Sequence, residues 1–167
     1  RLCVIDDSFY PYFLAVPDPD FDRERLKADI LKQEVEEKNL SGSVRDVEII
    51  EKSLLGIKTK CLKITVNVPK AVPLIRNQIK DMDGIENTYE YDIKFVRRYL
   101  VDRKIIPFSP VVVKGDSFQM RSRVPVIKAE SIGQSEEGVY ESLKIIGFDI
   151  ETYNPEGRTV DFQKNPI

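Results

Sequence analysis

The chain contains no histidine. That removes Ser-His-Asp triads, Cys-His pairs, His-ligated zinc and imidazole acid–base chemistry, so any catalysis must use carboxylates, lysine, tyrosine or metal. Cysteine is scarce too. Cys3 and Cys61 are far apart and form no CxxC pattern, which argues against a disulfide scaffold or a zinc knuckle and for two ordinary reduced thiols. No apolar run reaches the ~18 residues of a membrane-spanning helix, so no membrane partner is expected. The opening Arg1, Leu2, Cys3, Val4, Ile5, Asp6 does not read as a signal peptide, because its apolar stretch is short and meets acids at once. The chain starts at Arg1 and stops at Ile167, soon after a motif of catalytic character, and is expected to be a piece of something longer.

What is present is 167 residues, 41% hydrophobic and 32% charged, with a formal net charge of −2. That suffices for one medium domain, or a small domain plus part of another, burying roughly 70% of the unfolded surface. The average charge hides an asymmetry. Between residues 94 and 128 nine basic residues stand against two acids, a net of +7 set against −9 for the rest. Such a split is the footprint of a polyanionic partner, or else of a solvated helix and hairpin that pair with the chain's own acids.

The pattern predicts a strand over 9–16, closed by Pro17, Asp18, Pro19 and Asp20. A helix over 22–38 follows, capped by Asp20 or Asp22, with Leu26, Ile30, Leu31 and Val35 as its buried stripe. Residues 39–43 break it. Strands are expected over 44–52 and over 62–68, where apolar Leu62, Ile64, Val66 and Val68 alternate with Lys63, Thr65 and Asn67. A short helix on Val72, Ile75 and Ile79 precedes a strand over 85–91. The class is α+β, and the order β-α-β-β-α-β is the ferredoxin-like arrangement. A basic helix over 94–103, a hairpin turning at Lys114, Gly115 and Asp116, and a linker over 132–142 complete the expectation.

Three stretches carry chemistry. Leu143 to Glu151 reads as a nearly continuous apolar strand ending in Asp149 and Glu151, whose i, i+2 spacing puts both carboxylates on one face. Such a pair suits two divalent cations in phosphodiester hydrolysis, or marks an exposed strand end. Tyr89 to Asp92 and Phe95 to Leu100 mix rings with arginines, as single-strand nucleic-acid surfaces do. Phe95 and Tyr99 also fit a buried helix stripe, with Arg97 and Arg98 left free to bind. The third strand, Lys60 to Asn67, carries no aromatic residue, which disfavours an RNA-recognition sheet.

Taken together, Tyr89-Glu90-Tyr91-Asp92-Ile93, Phe95 to Asp102, Ile106-Pro107 and Leu143 to Thr152 resemble the amino-terminal part of archaeal family B DNA polymerases. Phe9 to Tyr12 and Lys70 to Arg76 fit the same order, whereas residues 111–142 have no match in the commonest members. The resemblance implies a template- and uracil-binding domain over 1–131, and the first strand of a ribonuclease-H-like 3′→5′ exonuclease domain over 143–167. Asp149 and Glu151 would bind the catalytic Mg2+ or Mn2+ of the full-length enzyme, the fragment itself holding none and being inactive alone. A pocket for template uracil is implied at Pro11, Tyr12, Pro69, Val72, Ile93, Phe95 and Arg98, with Lys94 (where the family usually has proline) and Arg97 on phosphates. Arg98 is expected to hold the polynucleotide chain. Single-stranded or primer–template DNA is the implied partner, a sliding clamp only for the full-length protein, and the location is cytoplasmic, with the nucleoid. The rival expectations are a standalone ferredoxin-like interaction domain without a nucleic-acid role and a standalone exonuclease.

Overall fold

The computed structural model describes residues 2–37, 39–136 and 147. In chain order the elements are β1 (Cys3–Ile5), β2 (Tyr12–Pro17), α1 (Arg23–Leu31), β3 (Glu34–Glu37), β4 (Leu40–Leu54), β5 (Ile57–Val66), a 3-10 turn (Pro69–Ala71), α2 (Val72–Ile79), β6 (Ile85–Tyr89), α3 (Phe95–Asp102), β7 (Val111–Ser117) and β8 (Val126–Gln134). They form a mixed domain of helices and two sheets. One sheet has five strands in the order β3-β4-β5-β2-β6, with every neighbouring pair antiparallel. The other is small, ordered β1-β8-β7.

The core follows from period-2 burial. Phe13 and Ala15 of β2, Val47 of β4, and Leu62, Ile64 and Val66 of β5 are fully buried, together with Leu26 and Ile30 of α1 and Ile75 and Ile79 of α2. The alternation of residues 62–66 in the sequence therefore marks the face that the helices cover. Asp22 caps α1, accepting from the amides of Glu24 and Arg25 at 3.0 and 3.2 Å.

Three boundaries differ from expectation. The helix predicted over 22–38 ends at Leu31, and Glu34–Glu37 turns back as β3 against β4, pairing Val35 with Gly42. Val35 still reaches the core, as a strand residue, while Leu31 is exposed. Pairing with a long partner strand overrides local helix propensity here. The strand predicted over 9–16 begins only at Tyr12; Phe9 packs instead on the rings of Phe95 and Tyr99, 5.6 and 5.2 Å between centroids. The hairpin does not turn at Lys114 to Asp116, because β7 runs on to Ser117 and meets β8 at Ile127. Gly115 is needed for another reason: a Cβ there would overlap the backbone carbonyl of Lys128, where the register shifts by a bulge.

β1 had no signal of its own in the sequence. It pairs in parallel with β8, Cys3 with Val126 and Ile5 with Lys128. Strand β8 reaches Gln134, three residues into the segment read as linker. The strand expected over 143–151 lies outside the described residues, Gly147 excepted. Cys61 is buried and Cys3 half-buried, and both are free thiols.

Gly42 sets the position of the turn before α2. A Cβ on it would overlap the Ala71 methyl and crowd Val35. Gly42→Ala is therefore expected to destabilise the domain by about 1–3 kcal/mol, the usual range for overpacking a tight site. Chemical denaturation of the two proteins measures the difference.

Candidate nucleic-acid interface

Three elements begin close together at one end of the large sheet. Pro11 and Tyr12 open β2, Pro69 to Pro73 open α2, and Tyr91 to Phe95 lead into α3. Between them lies a cavity of about 270 Å³ lined by these residues and by Arg98. All seven residues expected in the base pocket, Pro11, Tyr12, Pro69, Val72, Ile93, Phe95 and Arg98, line this one cavity, and so does Lys94. Pro73, Tyr91 and Asp92 complete it. The last two belong to the Tyr-Glu-Tyr-Asp motif, so their signal was present in the sequence. Pro73 adjoins Val72 at the start of the helix.

The walls are stiff. Proline fixes its own backbone angle, and three prolines stand around the opening. Val72, β-branched, has little rotamer freedom on a helix. The aromatic walls are held by cations: the Arg98 guanidinium lies 4.1 Å from the centre of the Tyr12 ring, and Arg76 lies 4.1 Å from that of Tyr91. The Tyr12 hydroxyl donates to Asp102 at 2.8 Å. Burial and that bond together push the Tyr12 phenol up from its usual value.

Arg98 is the surprise. Arg97 and Arg98 were both expected to be free, but only Arg97 is exposed. Arg98 is 5% exposed and donates at 2.8 Å to both the carboxylate and the backbone carbonyl of Glu90. Lys52 donates to the same carboxylate at 2.8 Å. Burial works against the charge on Glu90, yet the bonds from Lys52 and Arg98 outweigh it and hold the carboxyl below its usual value. Neighbouring helix residues point about 100° apart, so of two adjacent arginines one faces the interior. Arg98 is thus held between Glu90 and the Tyr12 ring and is not an exposed cation. Glu90 takes a left-handed conformation, φ 60°, which aims its carbonyl at Arg98.

On the other side of Arg98 a wider groove of about 640 Å³ is lined by Lys52, Glu90, Lys94, Arg97 and Val101 among others. Lys94 and Arg97 are exposed on it. Of the nine basic residues between 94 and 128, three pair internally: Arg98 with Glu90, Arg103 with Asp6 and Lys128 with Asp7. The other six (Lys94, Arg97, Lys104, Lys114, Arg121 and Arg123) form no ion pair among the described residues.

Asp149 and Glu151 lie outside the described residues, and among those described no cluster of Asp, Glu, Cys or His suits a metal ion. The same region matches a family model. Residues 86–167 fit the model of the DNA polymerase family B exonuclease domain. The DNA polymerase of Thermococcus kodakarensis is 31% identical over 162 residues, covering 97% of this chain and 8% of the relative. DNA polymerase 2 of Aeropyrum pernix is 26% identical over 175 residues, covering the whole of this chain and 21% of the relative. The structure of the family B DNA polymerase from the hyperthermophilic archaeon Pyrobaculum calidifontis superposes with a TM-score of 0.68 at 27% identity, over 97% of this chain and 20% of that one. The chain belongs to the archaeal family B DNA polymerases. It corresponds to their amino-terminal region and spans about a fifth or less of the length of these relatives.

In this polymerase region a second cluster ties the amino-terminal segment to α3. Asp6 accepts from the Tyr99 hydroxyl at 2.8 Å and from Arg103 at 3.0 Å. Burial opposes the charge on Asp6, but bonds from Ser8, Tyr99 and Arg103 keep its carboxyl below the usual value. Burial and the Asp6 bond push the Tyr99 phenol up from 10.0 to about 12. A raised pKa means that the bonded, neutral phenol favours the fold fully below pH 10 and loses that contribution as pH rises towards 12. The midpoint of thermal unfolding is therefore expected to fall between pH 10 and pH 12, and to fall less in Tyr99→Phe. Parallel profiles for the two proteins would contradict the assignment.

Proposed function

We propose that this chain is the template-binding amino-terminal module of a DNA-directed DNA polymerase with 3′→5′ proofreading, and that its cavity admits uracil from single-stranded template. The observation that carries this reading is the convergence of the seven residues implied by the resemblance on one stiff-walled cavity. Its volume of about 270 Å³ is just below the ~300–1,000 Å³ of drug-sized pockets, which suits a single flat ring better than a whole nucleotide. Thymine differs from uracil by one methyl group. Walls of proline, valine and clamped tyrosine relax poorly around an added methyl, so discrimination is steric.

The fold supports the same reading. We read the strand order β4-β5-β2-β6, all antiparallel with α1 and α2 as crossovers, as a ferredoxin-like core. We read residues 1–131 as the template-binding domain, 132–142 as a linker and 143–167 as the start of a ribonuclease-H-like exonuclease domain. Asp149 and Glu151 would hold Mg2+ or Mn2+ in the full-length enzyme, where the metal would activate water for phosphodiester hydrolysis. A sliding clamp would concern the full-length protein only, and a cytoplasmic, nucleoid-associated location follows from the DNA partner. The six cations that form no ion pair among the described residues weigh against a standalone interaction domain that neutralises its own charge.

Fluorescence anisotropy with labelled single strands tests the proposal. An oligonucleotide carrying one uracil is expected to bind about 10- to 200-fold tighter than its thymine control, as one methyl is worth ~1–3 kcal/mol in an apolar pocket. Equal affinity would remove the pocket. The double variant Lys94→Ala/Arg97→Ala is expected to weaken both strands alike and to flatten the salt dependence by about 1.4 in log–log slope, for two phosphates at ~0.7 each. A change in the uracil-to-thymine ratio would instead place these side chains in base selection.

A further inference from the structure

The six cations that form no ion pair among the described residues fall into separate groups, with Lys104 apart just after α3. Lys94 and Arg97 adjoin the base cavity, whereas Lys114, Arg121 and Arg123 sit on the β7–β8 hairpin and its connecting segment, residues 118–125. We propose that this segment is a second contact for single-stranded DNA, in which Phe118 stacks on an unpaired base while Arg121 and Arg123 bind the flanking phosphates. The inference rests on the single-strand-binding part of the reading above, and not on its uracil pocket.

Charge is the first argument. From Ser117 to Ala129 the sequence has Arg121, Arg123 and Lys128 and no acid at all. Of these only Lys128 has an acidic partner among the described residues, Asp7 at 2.8 Å. Exposed arginines without counter-ions raise the local positive potential, which draws a polyanion. The second argument is apolar surface in the same place. Phe118 and Met120 are 44% and 52% exposed. They line a cleft of about 540 Å³ with Ser117, Gln119, Val124 and Pro125. A ring beside an open cleft offers its face to a base, and a base in a duplex is already stacked, so the fit is to a single strand.

The segment is also anchored at both ends. The Phe118 amide donates to the Val126 carbonyl at 2.9 Å, and the Cys3 amide to the Pro125 carbonyl at 3.0 Å. The Ser122 hydroxyl accepts from the Val124 amide at 3.2 Å between the two arginines. With its roots fixed, less ordering entropy opposes binding.

The test uses the whole chain, a labelled single strand with either uracil or thymine, and a blunt duplex. Arg121→Ala/Arg123→Ala is expected to lower the log–log salt slope on the single strand by about 1.4, for two phosphates at ~0.7 each. Phe118→Ala is expected to weaken single-strand binding by roughly 5- to 150-fold, the range for one stacked base. Both variants should keep the wild-type melting temperature, because the substituted side chains are exposed, and both should keep the uracil-to-thymine ratio. Unchanged slope and affinity in both variants would overturn the inference while leaving the pocket standing. Equal loss on the duplex would overturn it as a mere backbone patch, and loss of self-association with DNA binding intact would assign the surface to a second copy of the chain. A loop effect in a protein that does not distinguish uracil from thymine would support this contact and sink only the pocket.

Discussion

The interior position of Arg98 is the constraint from which the candidate site follows. A guanidinium 5% exposed cannot stay charged without partners, since burying an unpaired ion costs several kcal/mol. Glu90 supplies a carboxylate and a carbonyl, and the Tyr12 ring covers one face of the cation. Those bonds join the end of β6, the start of β2 and the first turns of α3. Removing the charge would leave Glu90 facing Lys52 alone and free the Tyr12 ring on one side. The wall between the base cavity and the wider groove is thus an ion pair and a stacked ring, held in place because the alternative is an unsatisfied buried charge.

The remaining cations sort by the same logic. Arg103 and Lys128 bind Asp6 and Asp7, which fastens the segment after β1 to α3 on one side and β8 on the other. These are stitches between elements distant in sequence. The cations with no such neighbour remain on exposed positions, where their electrostatic reach is limited by salt. One basic stretch therefore serves two ends, and the partition is made by where the acids lie in space.

How much of this could be read from the sequence depended on the kind of signal. The core strand at residues 62–66 was legible because period-2 alternation is a direct image of one covered face. The buried face of α2 was legible for the analogous reason. The cavity residues were legible only through the resemblance: no periodicity brings Pro11, Pro69 and Ile93 together, since their meeting is set by three element starts at one sheet end. Arg98 was misjudged as free because adjacent arginines look identical until the position of Glu90 is known. Gly115 suggested a turn, but its lack of a side chain answers the close approach of the Lys128 backbone within a strand pair. Val35 satisfied a helical stripe and a strand face equally well, and the partner strand β4 decided between them.

Under the proposed function, a pocket that distinguishes one methyl group would have to separate selection from attraction. Selection needs walls that do not move, which proline rings and the doubly held Tyr12 ring provide at short range. Attraction needs charge that reaches the phosphates of an approaching strand, and a guanidinium locked to a carboxylate contributes little to that field. Placing Arg98 inside, paired with Glu90, strengthens the wall, and under the proposed function it would keep a sequence-blind phosphate grip away from the point where the base is read. The exposed Lys94 and Arg97 stand on the wider groove beside the pocket, where the proposed grip on phosphates would lie. With that division of labour, salt would weaken the hold on the strand while the choice of base, made by contact and shape, would stay the same.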